Sequence, residues 1–121
     1  MTPVQQRREF SVHFRTASSR LDAVAEATLV DVLAAAKEAS LSIQVNGYTD
    51  SSGAESFNNR LASRRAAAVA TWLVRHGIPK SRVEANGDGR CCYVASNATH
   101  QGRQFNRRAV LSLFNPERNH P

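Results

Sequence analysis

The stretch Leu41-Ser42-Ile43-Gln44-Val45-Asn46-Gly47-Tyr48-Thr49-Asp50, followed at once by an alanine-rich run from about Ala54 to His76, decides the fold. In its first half Leu41, Ile43 and Val45 alternate with Ser42, Gln44 and Asn46, the two-residue period of a half-buried strand. The strand ends at Gly47, and Tyr48 to Gly53 is a polar loop. Ser52 with Glu55 resembles a capping box opening the next helix. Gly77 is placed to accept the left-handed turn that closes it, and Pro79 prevents continuation. A strand feeding a long amphipathic helix through a short polar loop has to fold that helix back onto a sheet to bury its apolar stripe.

The same periods extend outward in both directions. Phe10, Val12 and Phe14 alternate with Ser11 and His13 as a first strand, and Thr16 to Ser19 is turn-like. Ser19 with Asp22 is a second capping-box candidate. Leu21, Ala25, Leu29, Val32, Leu33 and Ala36 then recur at helical spacing up to Lys37-Glu38. Beyond Pro79, Val83 and Ala85 form a third strand that stops at Gly87-Asp88-Gly89. A long loop covers Arg90 to Phe105. A last strand runs from Arg107 through Ala109, Leu111 and Leu113. The expected class is α/β (an α+β sandwich) in the order β-α-β-α-β-loop-β, with two main helices on one face of a mixed four-stranded sheet. Residues 8–115 form the domain, and 1–7 and 116–121 are expected to be flexible termini.

At 121 residues and 41% hydrophobic, the chain supports one modest core. It has no apolar run near the ~20 residues that span a bilayer. Met1 to Phe10 carries Arg7 and Arg8 without an apolar stretch after them, so it does not read as a signal peptide. The net charge of +6 favours anionic partners without choosing among nucleic acid, lipid and a carboxylate-rich polymer. The arginines are scattered rather than gathered into a nucleic-acid arm. Cys91 and Cys92 are neighbours, a spacing at which the geometry of a disulfide is seldom reached, so no bridge between them is expected. Together with His13, His76, His100 and His120 they show no zinc-type ligand spacing; no metal and no cofactor are expected.

The informative anomaly lies on the second helix. At about 100° per residue, Leu61, Ala68, Trp72 and Val69 make an apolar stripe beginning at Phe57, and Asn58 and Arg65 fall inside it. Arg60 and Arg64 fall at or beyond its edge. A guanidinium aimed inward needs a carboxylate, and Asp50, at the carboxyl end of the second strand, is the candidate. Two readings stay open on these grounds. The pair is a structural bridge, or both groups face a pocket and take a ligand of two opposite charges, for which the planar fork of Arg is suited. Arg107 is in phase with the apolar residues of the last strand, and Asn97, Arg103 and Asn106 precede it.

Taken together these residues resemble the OmpA-like C-terminal domain, the peptidoglycan-binding module of OmpA, Pal and MotB proteins. The first motif is Gly47-Tyr48-Thr49-Asp50, then Asn58, then Leu61 through Arg64-Arg65-Ala66 to Val69. The second is Gly87-Asp88-Gly89, Asn97 and Gly102-Arg103-Gln104-Phe105-Asn106-Arg107-Arg108. The chain departs from the family pattern in having Tyr48 before the Thr-Asp, Asp88-Gly89-Arg90 in the glycine-rich turn, Cys91-Cys92-Tyr93 after it, and no Asp or Asn in the first loop. The resemblance implies that Asp50 takes the ammonium and Arg65 the carboxylate of a meso-diaminopimelate residue in the peptidoglycan stem peptide. It implies that Thr49, Asn58 and Arg107 line or support the same pocket.

The resulting expectation is a non-enzymatic tether without catalytic residues. Its partner is peptidoglycan, in the periplasm, on a parent held to the outer or inner membrane through a segment absent from this chain. Nucleic acid is not expected as a partner, because aromatics are only 7% of the chain and mostly in core phase. The alternative is the same fold serving as an interaction or oligomerisation domain without the ligand, and a homodimer is left open.

Overall fold

The computed structural model describes residues 8–116; the segments 1–7 and 117–121, with His120 and all of the expected flexible ends but residue 116, lie outside it. Four strands and three helices follow the order β1 (Arg8–His13), α1 (Ala23–Ala39), β2 (Ser42–Tyr48), α2 (Glu55–Arg75), β3 (Val83–Asp88), α3 (His100–Asn106) and β4 (Arg108–Phe114). A short 3-10 turn over Lys80–Arg82 leads into β3.

The sheet order is β1-β4-β2-β3. β4 pairs antiparallel with both β1 and β2, while β2 and β3 run parallel, as a βαβ unit joined by α2 requires. The sheet is mixed and four-stranded, as the sequence pattern predicts. The last strand therefore lies in the middle and is buried: Ala109, Leu111 and Leu113 are all fully covered. They pack with Val12, Ile43 and Val45 beneath Ala25, Leu29, Val32 and Ala36 of α1 and Ala66, Val69 and Leu73 of α2. Gly47 and Gly87 sit where α2 crosses β2 and β3. A β-carbon on either would run into the helix backbone at Ala62 or Ser63, so the absent side chains set how near the helix lies.

α1 is capped by Asp22 itself, whose carboxylate accepts from Ala25 N at 2.8 Å, and not by Ser19. α2 begins after Ala54, with no side-chain cap from Ser52. Its C-terminal end matches expectation: Gly77 has φ 109°, and Ile78 N returns to Leu73 O. The expected loop from Arg90 to Phe105 holds a third helix, capped by the Thr99 hydroxyl accepting from Gly102 N. Seven residues without an apolar stripe give no helical period to read. Ala85 is exposed, in the groove between α2 and the edge strand β3.

A further correction concerns the cysteines. Cys91 and Cys92 are joined by a disulfide. The chain accommodates this bridge between neighbours with Cys92 in the left-handed region, at φ 70°.

Candidate functional site

The buried stripe of α2 is rotated by roughly 70° from the one read off the wheel. It consists of Asn58, Leu61, Ala62, Arg65, Ala66, Val69 and Leu73, with Arg65 near its middle, while Phe57 is 36% exposed at its edge. Arg60 and Arg64 face outward as expected. Arg65 is the largest fully buried side chain among the described residues.

The partner expected for it is not the one it has. Asp50 forms its ion pair with Arg107, at 3.3 Å between Oδ2 and Nη1, both side chains being 8% exposed. Arg65 instead donates to three backbone carbonyls: Nε to Ser18 at 2.8 Å, Nη1 to Tyr48 at 2.9 Å and Nη2 to Arg15 at 3.1 Å. Its guanidinium carbon also lies 5.2 Å from the centre of the Phe14 ring. Main-chain carbonyls satisfy hydrogen bonding without leaving a side-chain signature, so residue spacing alone points to a carboxylate. They do not neutralise the charge. Burial lowers the Arg65 pKa to about 10, Asp50 nearby works against that shift, and Arg107 adds to it. Arg65 remains a cation at neutral pH, with no carboxylate at ion-pair distance among the described residues.

The other four sequence candidates line the same cavity as Arg65. Asp50 Oδ1 accepts from Ser52 N at 2.8 Å, fixing the carboxylate in its own loop. Thr49 donates through Oγ1 to Gly89 O at 3.3 Å, and Asn58 donates through Nδ2 to Ser52 O at 2.7 Å. Arg107 donates through Nε to Phe14 O at 2.9 Å, so it braces the β1 end against the acid. All five line one cavity of about 190 Å³, and the sequence reading had not placed Thr16, Ala17, Phe57 and Leu61 in its wall. A larger groove, about 480 Å³, lies between α2 and β3, but none of the five residues lines it and no carboxylate does.

Asn97, Arg103 and Asn106 hold the neighbouring loop. Asn106 is fully buried; its Oδ1 accepts from Val94 N and Ala95 N, and its Nδ2 donates to Ala95 O and Asn97 Oδ1. Asn97 Oδ1 also accepts from Ser51 N at 3.2 Å, and Arg103 Nη1 donates to Asn97 O. The site thus presents one anion and two cations, from the loop after β2, from α2 and from the residue before β4, each held by bonds to the main chain.

Comparison with known proteins agrees with this architecture. The chain is 36% identical over 104 residues to the probable lipoprotein YiaD of Escherichia coli, covering 85% of this chain and 48% of that one. It is 41% identical over 69 residues to the peptidoglycan-binding protein ArfA of Mycobacterium tuberculosis, covering 57% of this chain and 21% of that one. The chain therefore spans at most about half the length of these two relatives. The crystal structure of the peptidoglycan-associated lipoprotein from Burkholderia pseudomallei superposes with a TM-score of 0.80 at 29% identity, over 85% of this chain and 88% of that one. The OmpA family model matches residues 13–107, from the end of β1 to Arg107 in the second motif, and the chain belongs to the OmpA family.

Proposed function

We propose that this domain binds peptidoglycan non-covalently through the zwitterionic end of a meso-diaminopimelate residue, and so tethers a membrane-associated parent protein to the cell wall. The observation that carries the reading is Arg65: a buried cation lining a cavity, oriented by three carbonyls and without an anion of its own. A buried charge with no ion-pair partner at contact distance is costly, and a ligand carboxylate lowers that cost on binding. Three of the five guanidinium donors are used, which leaves two for a carboxylate. Asp50, held by Ser52 N and Arg107, presents the anion for the ligand ammonium. Thr49 and Asn58 fix the loop that carries it, and Phe57 and Leu61 offer apolar wall to the methylenes between the ligand's two ends. The relatives' names, a peptidoglycan-binding protein among them, support the same reading. The parent would reach the periplasm and its membrane through a segment outside this chain.

The test is calorimetry with a diaminopimelate-containing muropeptide and with its lysine counterpart, which lacks the distal carboxylate. Binding of the first, at least tenfold weaker binding of the second, and loss of both in Asp50→Ala are expected. Equal affinity for both muropeptides would reject the diaminopimelate end as the group recognised, and no heat from either would reject peptidoglycan binding and favour an interaction domain that keeps the fold without the ligand.

A further inference from the structure

The loop of residues 89–97 joins β3 to α3, and its two ends hold the residues on either side of Asp50. At the first end Gly89 O accepts from the Thr49 hydroxyl at 3.3 Å, while Gly89 N donates to Asn59 Oδ1 at 3.0 Å. At the other, Asn97 Oδ1 accepts from Ser51 N at 3.2 Å. Between them stands the disulfide of Cys91 and Cys92, with Cys92 exposed and Cys91 half-buried. Cys92 O accepts from Arg108 Nη2 at 2.8 Å. That guanidinium lies 4.3 Å over the Tyr48 ring, and Tyr48 O is one of the three carbonyls that orient Arg65. One bridged residue is thus bonded directly toward the pocket, Cys92 through Arg108 to Tyr48, while Thr49 and Ser51 are held by Gly89 and Asn97 of the same loop.

We propose that Cys91–Cys92 is a thiol–disulfide exchange site whose substrate is a dithiol reductant, and that its oxidised form keeps the pocket in binding shape. The second half rests on the peptidoglycan reading above. In the exchange, a thiolate of the reductant attacks the exposed Cys92 Sγ, forming a mixed disulfide and releasing Cys91 as a thiolate that takes a proton. The second thiol of the reductant then displaces Cys92, which is protonated in turn. Two electrons and two protons pass to the protein, and the reductant leaves as its disulfide. Asp88 Oδ2, 3.5 Å from Cys91 Sγ, stands ready to accept from the new thiol. Reduction opens the covalent ring closed by Cys92, whose φ of 70° lies in a region that residues with a β-carbon adopt seldom, Ala17 and Ser40 being the others among the described residues. Cys92 then returns to negative φ, its carbonyl leaves Arg108, and the loop's hold on Thr49 and Ser51 weakens.

The experiment compares the whole chain before and after dithiothreitol. Maleimide labelling followed by mass spectrometry should count no thiols before and two after. Amide exchange at Ser51 and Gly89, measured without ligand, should quicken on reduction. Muropeptide affinity should fall about tenfold, as for the loss of one ordering hydrogen bond. The Cys91→Ser/Cys92→Ser double variant should bind like the reduced protein whether or not reductant is present. Two free thiols in the air-oxidised protein, or identical exchange and affinity in both states, would overturn the proposal. Quickened exchange with no muropeptide binding in either state would uphold the exchange site and reject the pocket's ligand instead.

Discussion

At the scale of single residues, the site sets a buried cation where a hydrophobe would pack, and surrounds it with main-chain oxygens. The acid that sequence spacing assigned to Arg65 belongs to Arg107, which also reaches Phe14 O. Arg107→Ala removes one partner of a buried pair and orphans a carbonyl, so it should lower unfolding stability by about 3–5 kcal/mol, read from the denaturant midpoint. Arg65→Lys keeps the charge but cannot serve three carbonyls and a carboxylate from one ammonium; muropeptide affinity should fall by more than tenfold while far-UV circular dichroism is unchanged. His13 gives a pH signature. Its pKa is pushed below 6.5 by partial burial and by the positive charges of Arg108 and Arg107. The unfolded chain then binds a proton that the folded one does not, so stability is full above pH 6.5 and is lost as pH falls through the lowered folded value. His13→Gln should flatten the pH dependence of the denaturation midpoint in that window, and an unchanged slope would assign it to other groups.

At the scale of elements, α1 owes its start to Asp22 and α2 its place to glycines. Asp22→Ala removes the side-chain acceptor at Ala25 N and should cost about 1 kcal/mol. Gly47→Ala forces a β-carbon into the backbone of α2 at Ala62, a position with no flexible side chain to give way. A loss of roughly 1–3 kcal/mol is expected, together with weaker ligand binding because the same helix carries Arg65. The periodic elements were legible because each buries one face, so its period is written in the order of apolar residues. Helix α3 was not: it is short, its Phe105 is exposed, and its role is to deliver Asn106 to the neighbouring loop.

At the scale of the molecule, the pocket lies where the ends of β1 and β2 and the first turns of α2 meet, with the approach to β4 supplying Arg107. A ligand bound only by the folded chain stabilises all of these together. Muropeptide at about 100 times its dissociation constant should add about 2.7 kcal/mol to unfolding stability, and Asp50→Ala should show no such gain in a thermal scan. Among the described residues no helix is long and apolar enough to cross a membrane.

The sequence by itself determined the strand and helix periods, the order of the main elements, the inward aim of Arg65 and the motifs that hold the five candidate residues, because period and motif are local properties of the chain. Only the tertiary structure decided who pairs with whom. Arg107 is 57 residues from Asp50, and the carbonyls of Arg15 and Ser18 are 50 and 47 residues from Arg65. Main-chain groups look alike at every position, and which of them faces a buried charge is fixed when the sheet closes and the first loop folds over α2. The bridge between Cys91 and Cys92 is of the same kind, since it depends on a backbone turn at Cys92 that no spacing rule reveals.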